Sequence, residues 1–373
     1  MDCLFLINPA SGGMEGQRLT DILNRDFAGC GHNIHAVFIN QHNPLSQVSS
    51  LVHSKKLVVI AGGDGTVSML TGCLAMLDAP PPFAIIPLGT GNDLARNTGW
   101  LRIWQEGGLD AFFTALPLSK AEPIDVWGVG HTHRFICYAG TGLDARIISF
   151  VHTYRKPLQQ AMSWQAGRRL MTRLLYIGAA ARYATSDLVH AHDTAHGTLE
   201  FFLGNRLVEK IDYGKDRVVL MASIDSYAGG GRLSENASRN DGMFEVYRFP
   251  SLSSYLKFLM KSRLGGKFAP EPAFRADRAR LPRSGKIEMQ IDGEPANIPA
   301  GADNRIISLL RVIPVLIPPR DFGAREKIRK KSPAEQKVKP GISPALPGAA
   351  AGKQMRRDKP LTLSGDRGTC RKK

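Results

Sequence analysis

Three short apolar runs in the first third of the chain each end in a glycine-rich turn: LFLINPASGG, KLVVIAGGDG and FAIIPLGTGND. Runs with no polar alternation are buried on both faces, as strands of a parallel sheet are. Helical spacing follows the first two. Leu19, Ile22, Leu23 and Phe27 share one helix face, and Val67, Leu70, Leu74 and Leu77 share another. This β-α order predicts a parallel sheet whose ligands sit outside the carboxyl ends of its strands. The three glycine turns are therefore expected along one edge, able to share one site despite their separation in sequence.

At 373 residues the chain has length for two ordinary domains. The expected division is an α/β nucleotide-binding domain over 1–121, a β-rich, sandwich-like domain over 122–323, whose last strands can pack back on the first, and a tail over 324–373. The second domain is read from the runs IDVWGV, HRFICYAG, TLEFFLG, RVVLMASI, MFEVYRF, KIEMQI and NRIISLLRVIPVLI, punctuated by Gly, Asn and Asp. One helical stretch interrupts them. It runs from Phe150 to Ala184 and carries Arg155, Lys156, Arg168, Arg169, Arg173 and Arg182 among Met162, Trp164, Leu170, Leu174 and Leu175.

Lys and Arg outnumber Asp and Glu by 49 to 33, but 15 of the basic and 4 of the acidic residues fall after Phe322. The net charge is thus mostly a property of the tail, whose Lys, Pro, Ala and Gly content predicts disorder. Five cysteines without CxxC spacing argue against a zinc site or a disulfide framework and fit a reducing compartment. The N-terminal apolar run breaks at Asn8-Pro9 without preceding basic residues, so no leader is expected. IISLLRVIPVLIPP is interrupted by Arg311, Pro314 and Pro318, which excludes it as a bilayer-spanning helix.

Glycines at strand ends let backbone N–H groups approach phosphate oxygens, and the following helix N-terminus adds its positive end. No GxxxxGK[ST] pattern occurs, and GTGNDLA supplies only two of the three glycines of a dinucleotide fingerprint. Asp64, inside GGDG, has two readings: a cap or turn residue before Thr66, or a carboxylate that shares a divalent cation with a triphosphate. Asp93 in GTGND repeats the pattern and favours the metal reading. Phosphoryl transfer also needs a proton acceptor. IDGEP holds Asp292 and Glu294 two apart, although by pattern alone an Asp-Gly hairpin turn explains it better, and Asn240-Asp241-Gly242 likewise reads first as a hairpin turn.

Assembled in order, NPASGG, GGDGTVS, PLGTGNDLAR, YAGTGLDA, GGGRLSENASRNDG and IDGEP resemble the diacylglycerol kinase catalytic family, the lipid kinases related to sphingosine and ceramide kinases, and its soluble bacterial members most closely. The resemblance spans residues 4 to 295. GGDGT alone is shared with NAD kinases, whose likeness stops early. The resemblance implies an NAD kinase/diacylglycerol kinase-like fold with ATP and a lipid hydroxyl meeting in a cleft. It implies ATP contacts from Asn8, Pro9, Ser11 and Gly12, from Gly62, Gly63, Asp64, Gly65, Thr66, Val67 and Ser68, and from Thr90, Asn92 and Asp93. Asn40 stands where relatives have a nucleotide-contacting threonine. Glu294 is the implied proton acceptor, with Asp292 or Asp64 as the alternatives. Asp241, with the carbonyls of Ser238 and Met243, is the implied holder of a structural Mg²⁺. The basic tail lies outside the family pattern.

The expected activity is an ATP- and Mg²⁺-dependent lipid kinase, cytoplasmic and peripheral to the membrane, acting on diacylglycerol or a related glycerolipid. The alternatives are a kinase of a soluble polyol or NAD-like acceptor, and a catalytically silent lipid- or nucleotide-binding regulator. The expected partner is an anionic lipid surface, met by the tail or by the basic 150–184 stretch, although that stretch reads first as an ordinary helix packing Leu and Met into the second domain with its arginines solvated; a homodimer is allowed. Without aromatic interleaving, the tail motifs REKIRKK and CRKK suggest no specific nucleic acid. His190, His192 and His196 lack metal-ligand spacing and read as surface residues.

Overall fold

The computed structural model describes residues 2–26, 33–40, 42–52, 57–160, 171, 174–179, 182–183, 196–234, 237–264, 270–301 and 305–322. These belong to one compact unit, Met1–Lys327. The tail, with REKIRKK and CRKK, lies outside the described residues, as do Trp164, Arg168, Arg169, Arg173, His190 and His192.

The first strands are β1 (Asp2–Ile7), β2 (Asn33–Phe38), β3 (Leu57–Gly62) and β4 (Phe83–Pro87). They pair in parallel in the order β2-β1-β3-β4. Every residue of β3 and β4 is buried, as expected of strands covered on both faces. Helices α1 (Glu15–Asp26), α2 (Pro44–Val52), α3 (Asp64–Leu74), α4 (Asp93–Asn97) and α5 (Trp100–Ala115) complete this region. Leu19 and Leu23 of α1 and Val67, Leu70 and Leu74 of α3 are buried, as their spacing predicts. On α5, Trp100 packs on Phe112, and its indole N–H donates to the Leu316 carbonyl at 2.7 Å.

Beyond α5 the pairing turns antiparallel. β5 (Lys120–Val129), β6 (His133–Phe135), β7 (Tyr138–Gly142) and helix α6 (Leu143–Gln160) are followed by β8 (Thr198–Leu203), β9 (Arg206–Asp212), β10 (Val218–Ala222), β11 (Ser226–Tyr227), β12 (Gly231–Arg232) and β13 (Phe244–Phe249). After helix α7 (Leu252–Leu264) come β14 (Phe274–Ala276), β15 (Arg278–Arg280), β16 (Ile287–Ile291), β17 (Glu294–Ile298) and β18 (Ile306–Ile317). β18 pairs in parallel with β4 at Val315–Phe83 and antiparallel with β5 along most of its length, so the last strand joins the first sheet. A six-stranded sheet, β14-β13-β10-β7-β16-β17, faces the antiparallel half of the first sheet. Trp127, Phe135, Phe201, Met221, Phe244 and Met289 fill the space between them as a second core. The architecture is an α/β layer continuous with a β-sandwich.

Candidate active site

The three glycine turns meet at the carboxyl edge of the parallel sheet. The approach is closest between Gly63 and Gly89, where a β-carbon built on Gly89 would lie 2.5 Å from the Gly63 α-carbon. Only glycine lets two backbones come this near. The first turn joins them: Asn8 Nδ2 donates to Thr66 Oγ1 at 2.8 Å, and Gly12, at φ +65°, leaves no room for a β-carbon against the Leu88 carbonyl. Pro9 and Ser11 lie in the same turn, closed by Ser11 N donating to the Asn8 carbonyl. Asn40 is not drawn in. Its Oδ1 accepts from His42 N and its own N–H donates to Gln47, so its polar groups serve its own loop.

α3 begins at Asp64 with Gly63 as its N-cap, and no side chain caps it. The first-turn N–H groups of an 11-residue helix therefore face the glycine edge without a built-in acceptor, the arrangement that binds phosphate oxygens. Asp64 is a cap, but of the neighbouring turn: its two oxygens accept the N–H groups of Asn92 and Asp93 at 2.6 and 2.7 Å. Burial first, and the Asp93 charge second, push its carboxyl up to about 7. Asn92, at φ +54°, folds its amide back on the Gly89 backbone, while Thr90 stays exposed.

Asp93 points into the protein. It is buried and accepts from Tyr138 Oη, Ser226 Oγ and the N–H groups of Gly229 and Gly230. Ala228, Gly229 and Gly230 all have positive φ, which turns successive N–H groups toward one carboxylate. Asp93 thus clasps a loop from the antiparallel region onto the glycine edge.

Asp292 is a second clasp. It sits with Gly293 in the two-residue turn between β16 and β17, at φ +48° and +82°, so the Asp-Gly hairpin reading of IDGEP holds. Its buried carboxylate accepts from Ser68 Oγ and the N–H groups of Ile136, Cys137 and Tyr138, all within 2.6–2.9 Å. Desolvation nevertheless raises its pKa. A carboxylate so enclosed is a structural tie between α3 and the antiparallel strands, closed to a substrate hydroxyl, and Ser68 is spent on the same tie.

The same hairpin delivers Glu294 to the glycine edge. A β-carbon built on Gly65 would fall 2.5 Å from Glu294 Oε1, so the glutamate lies over the first turn of α3 and a larger residue at 65 would make its carboxylate shift. Its side chain remains 45% exposed, open to a substrate. His152 of α6 faces its other oxygen, with Nε2 3.5 Å from Oε2.

Asp241 accepts Met243 N–H on Oδ1, and its Oδ2 pairs with Arg275. The one anion of the Ser238-Asp241-Met243 set is already matched by a guanidinium, a poor fit for a divalent cation as arranged. Among the described residues no cluster of three metal-ligating side chains of the His, Cys, Asp and Glu type is found. His196 is exposed, and its backbone N–H donates to Ser284.

A family model, the diacylglycerol kinase catalytic domain, matches residues 2–127, the segment that carries all three glycine turns. Over that segment the chain is similar to the diacylglycerol kinase catalytic-domain family. A diacylglycerol kinase of Bacillus subtilis is 26% identical over 320 residues, covering 84% of this chain and 95% of the relative. Human diacylglycerol kinase zeta is 26% identical over 329 residues, 80% of this chain but 34% of the relative, so the chain spans about a third of that human protein. Against a solved diacylglycerol kinase of Bacillus anthracis the TM-score is 0.57 at 18% identity, covering 86% of this chain and 97% of the other. That likeness extends the family's fold through the antiparallel region.

Sequence reasoning missed His152 and Ser226, and it singled out YAGTGLDA and GGGRLSENASRNDG without giving a role to Tyr138 or to Gly229 and Gly230. The run of three glycines at 229–231 was the available signal.

Proposed function

We propose that the chain transfers the γ-phosphoryl group of ATP to a lipid hydroxyl, with diacylglycerol or a related glycerolipid as acceptor. The observation that carries this reading is Glu294 lying over Gly65, at the start of the uncapped helix α3. The glycine edge fits a triphosphate because close backbone approach and free helix N–H groups replace side chains there. Mg²⁺ bound with ATP would neutralise charge on the transferring group. Asp93 and Asp292 are enclosed by their hydrogen-bond donors, so of the three carboxylates Asp64 is the one beside this edge, and both of its oxygens already accept backbone N–H groups. Thr66 and Asn8 hold the first turn beside this edge. Glu294 accepts the proton of the attacking hydroxyl, which its exposure allows and which Asp292's enclosure denies.

No helix among the described residues is long and apolar enough to cross a membrane. Lipid would be collected at a surface. Tyr154, Leu174 and Ile177 are exposed, and Arg182 lies over the ring of Phe150 on α6, a mixture suited to an anionic bilayer interface. The test is a panel of acceptors with labelled ATP: diacylglycerol and monoacylglycerol in mixed micelles, sphingosine, NAD and a soluble polyol. Label in a glycerolipid is expected. Label only in NAD or the polyol would overturn the assignment.

A further inference from the structure

We propose that His152 is a positioning residue for Glu294, holding one carboxylate oxygen so that the other faces the acceptor hydroxyl. The inference rests on Glu294 as the proton acceptor and adds the group that orients it. Glu294 comes from the hairpin end of β17 and His152 from α6, so neither strand nor helix alone sets their distance. The two oxygens of Glu294 meet different surroundings. Oε1 lies against Gly65 at the start of α3, and Oε2 lies 3.5 Å from His152 Nε2.

A glutamate with three free side-chain torsions spends little time in one geometry unless something holds it, and a base displaced by about 1 Å loses much of its effect. An imidazole N–H at this distance from Oε2 restrains the carboxylate while leaving Oε1 on the side of the phosphate-binding edge. Both side chains are close to half exposed, 43% and 45%, so this contact adds little to folding and its removal should be read in turnover. His152 also lies on α6, one turn before Arg155 and beside exposed Tyr154 on the helix that the proposed function assigns to the lipid surface. Seating that helix on lipid would thus bring the orienting group and the substrate to Glu294 together.

The experiment is a double-mutant cycle on the full chain, with steady-state kinetics in diacylglycerol micelles and thermal melts. His152→Ala is expected to lower kcat by about tenfold, with KM for ATP and Tm nearly unchanged. His152→Gln, which keeps a donor, is expected to recover most of that loss. Glu294→Gln is expected to lower kcat by about 10² or more, and adding His152→Ala to it should cost nothing further. Additive losses in the double variant would show that His152 acts on its own and would overturn the proposal. So would an unchanged kcat in His152→Ala alongside an impaired Glu294→Gln. Full activity in Glu294→Gln would remove the base assignment itself and the proposal with it.

Discussion

Gly65 is the residue that most sharply separates folding from activity. Replacing it with alanine should favour α3 by roughly 0.5–1 kcal/mol, because alanine suits a helix better than glycine. The new β-carbon would displace Glu294, whose Oε1 lies 2.5 Å from its ideal position. The expected outcome for G65A is an equal or higher Tm with kcat lowered by about 10²-fold. Asp64 behaves differently. D64N leaves one of two buried N–H groups opposite an amide N–H, at a cost of about 1–3 kcal/mol, so its melt should fall along with its activity. Glu245, buried on β13, tests the electrostatics apart from the active site. Burial raises its carboxyl from 4.5 to about 7, against the lowering effect of Arg275. A raised folded pKa means the folded state keeps its proton longer, so this contribution is full below the unfolded value and is lost as pH climbs toward 7. Tm should therefore fall between about pH 5 and about pH 8, and E245Q should flatten that fall.

At the scale of elements, what was legible in the sequence was whatever is fixed by local burial. The runs ending at Gly62 and Pro87 are wholly apolar and became β3 and β4, and the helix faces at Leu19/Leu23 and Val67/Leu70/Leu74 turned inward. HRFICYAG read as a single run but divides into β6 and β7. Asp292, more than 150 residues away, takes the N–H groups of Ile136 to Tyr138 that a continuous strand would pair. β9 escaped notice because, beside only one other strand, it leaves Leu207 and Val208 exposed among charges and lacks a two-sided apolar pattern. β17 escaped because Pro295 reads as a strand breaker, yet an edge strand tolerates it. Within the candidate site, the glycine turns and Glu294 were legible as motifs. The turning of Asp93 and Asp292 away from substrate was not, since most of their donors lie over a hundred residues distant. Asp93's clasp predicts that D93N raises hydrogen exchange across residues 228–230, with little change in the parallel strands. Unaltered exchange there would show that the loop holds itself.

For the molecule as a whole, β18 and the two clasps make the glycine edge and the Glu294 hairpin parts of one unit, and the proposed lipid acceptor would be brought to them from a surface. Exposed Leu174 and Ile177, in a stretch of the chain that also carries Arg182, predict binding to anionic vesicles that weakens with salt. The double variant L174E/I177E should float poorly with such vesicles while still phosphorylating a short-chain, water-dispersed diacylglycerol. Equal flotation of both proteins would move the membrane contact elsewhere. The central claim, that Glu294 serves ATP-driven transfer to a lipid hydroxyl at the glycine edge, is tested most directly by phosphate transfer from labelled ATP to diacylglycerol with purified wild-type protein and E294Q. Labelled phosphatidic acid from the wild type, at least about 10²-fold slower from E294Q with an unchanged melt, is the predicted result. No transfer by the folded wild-type protein, or equal transfer by both, would contradict it.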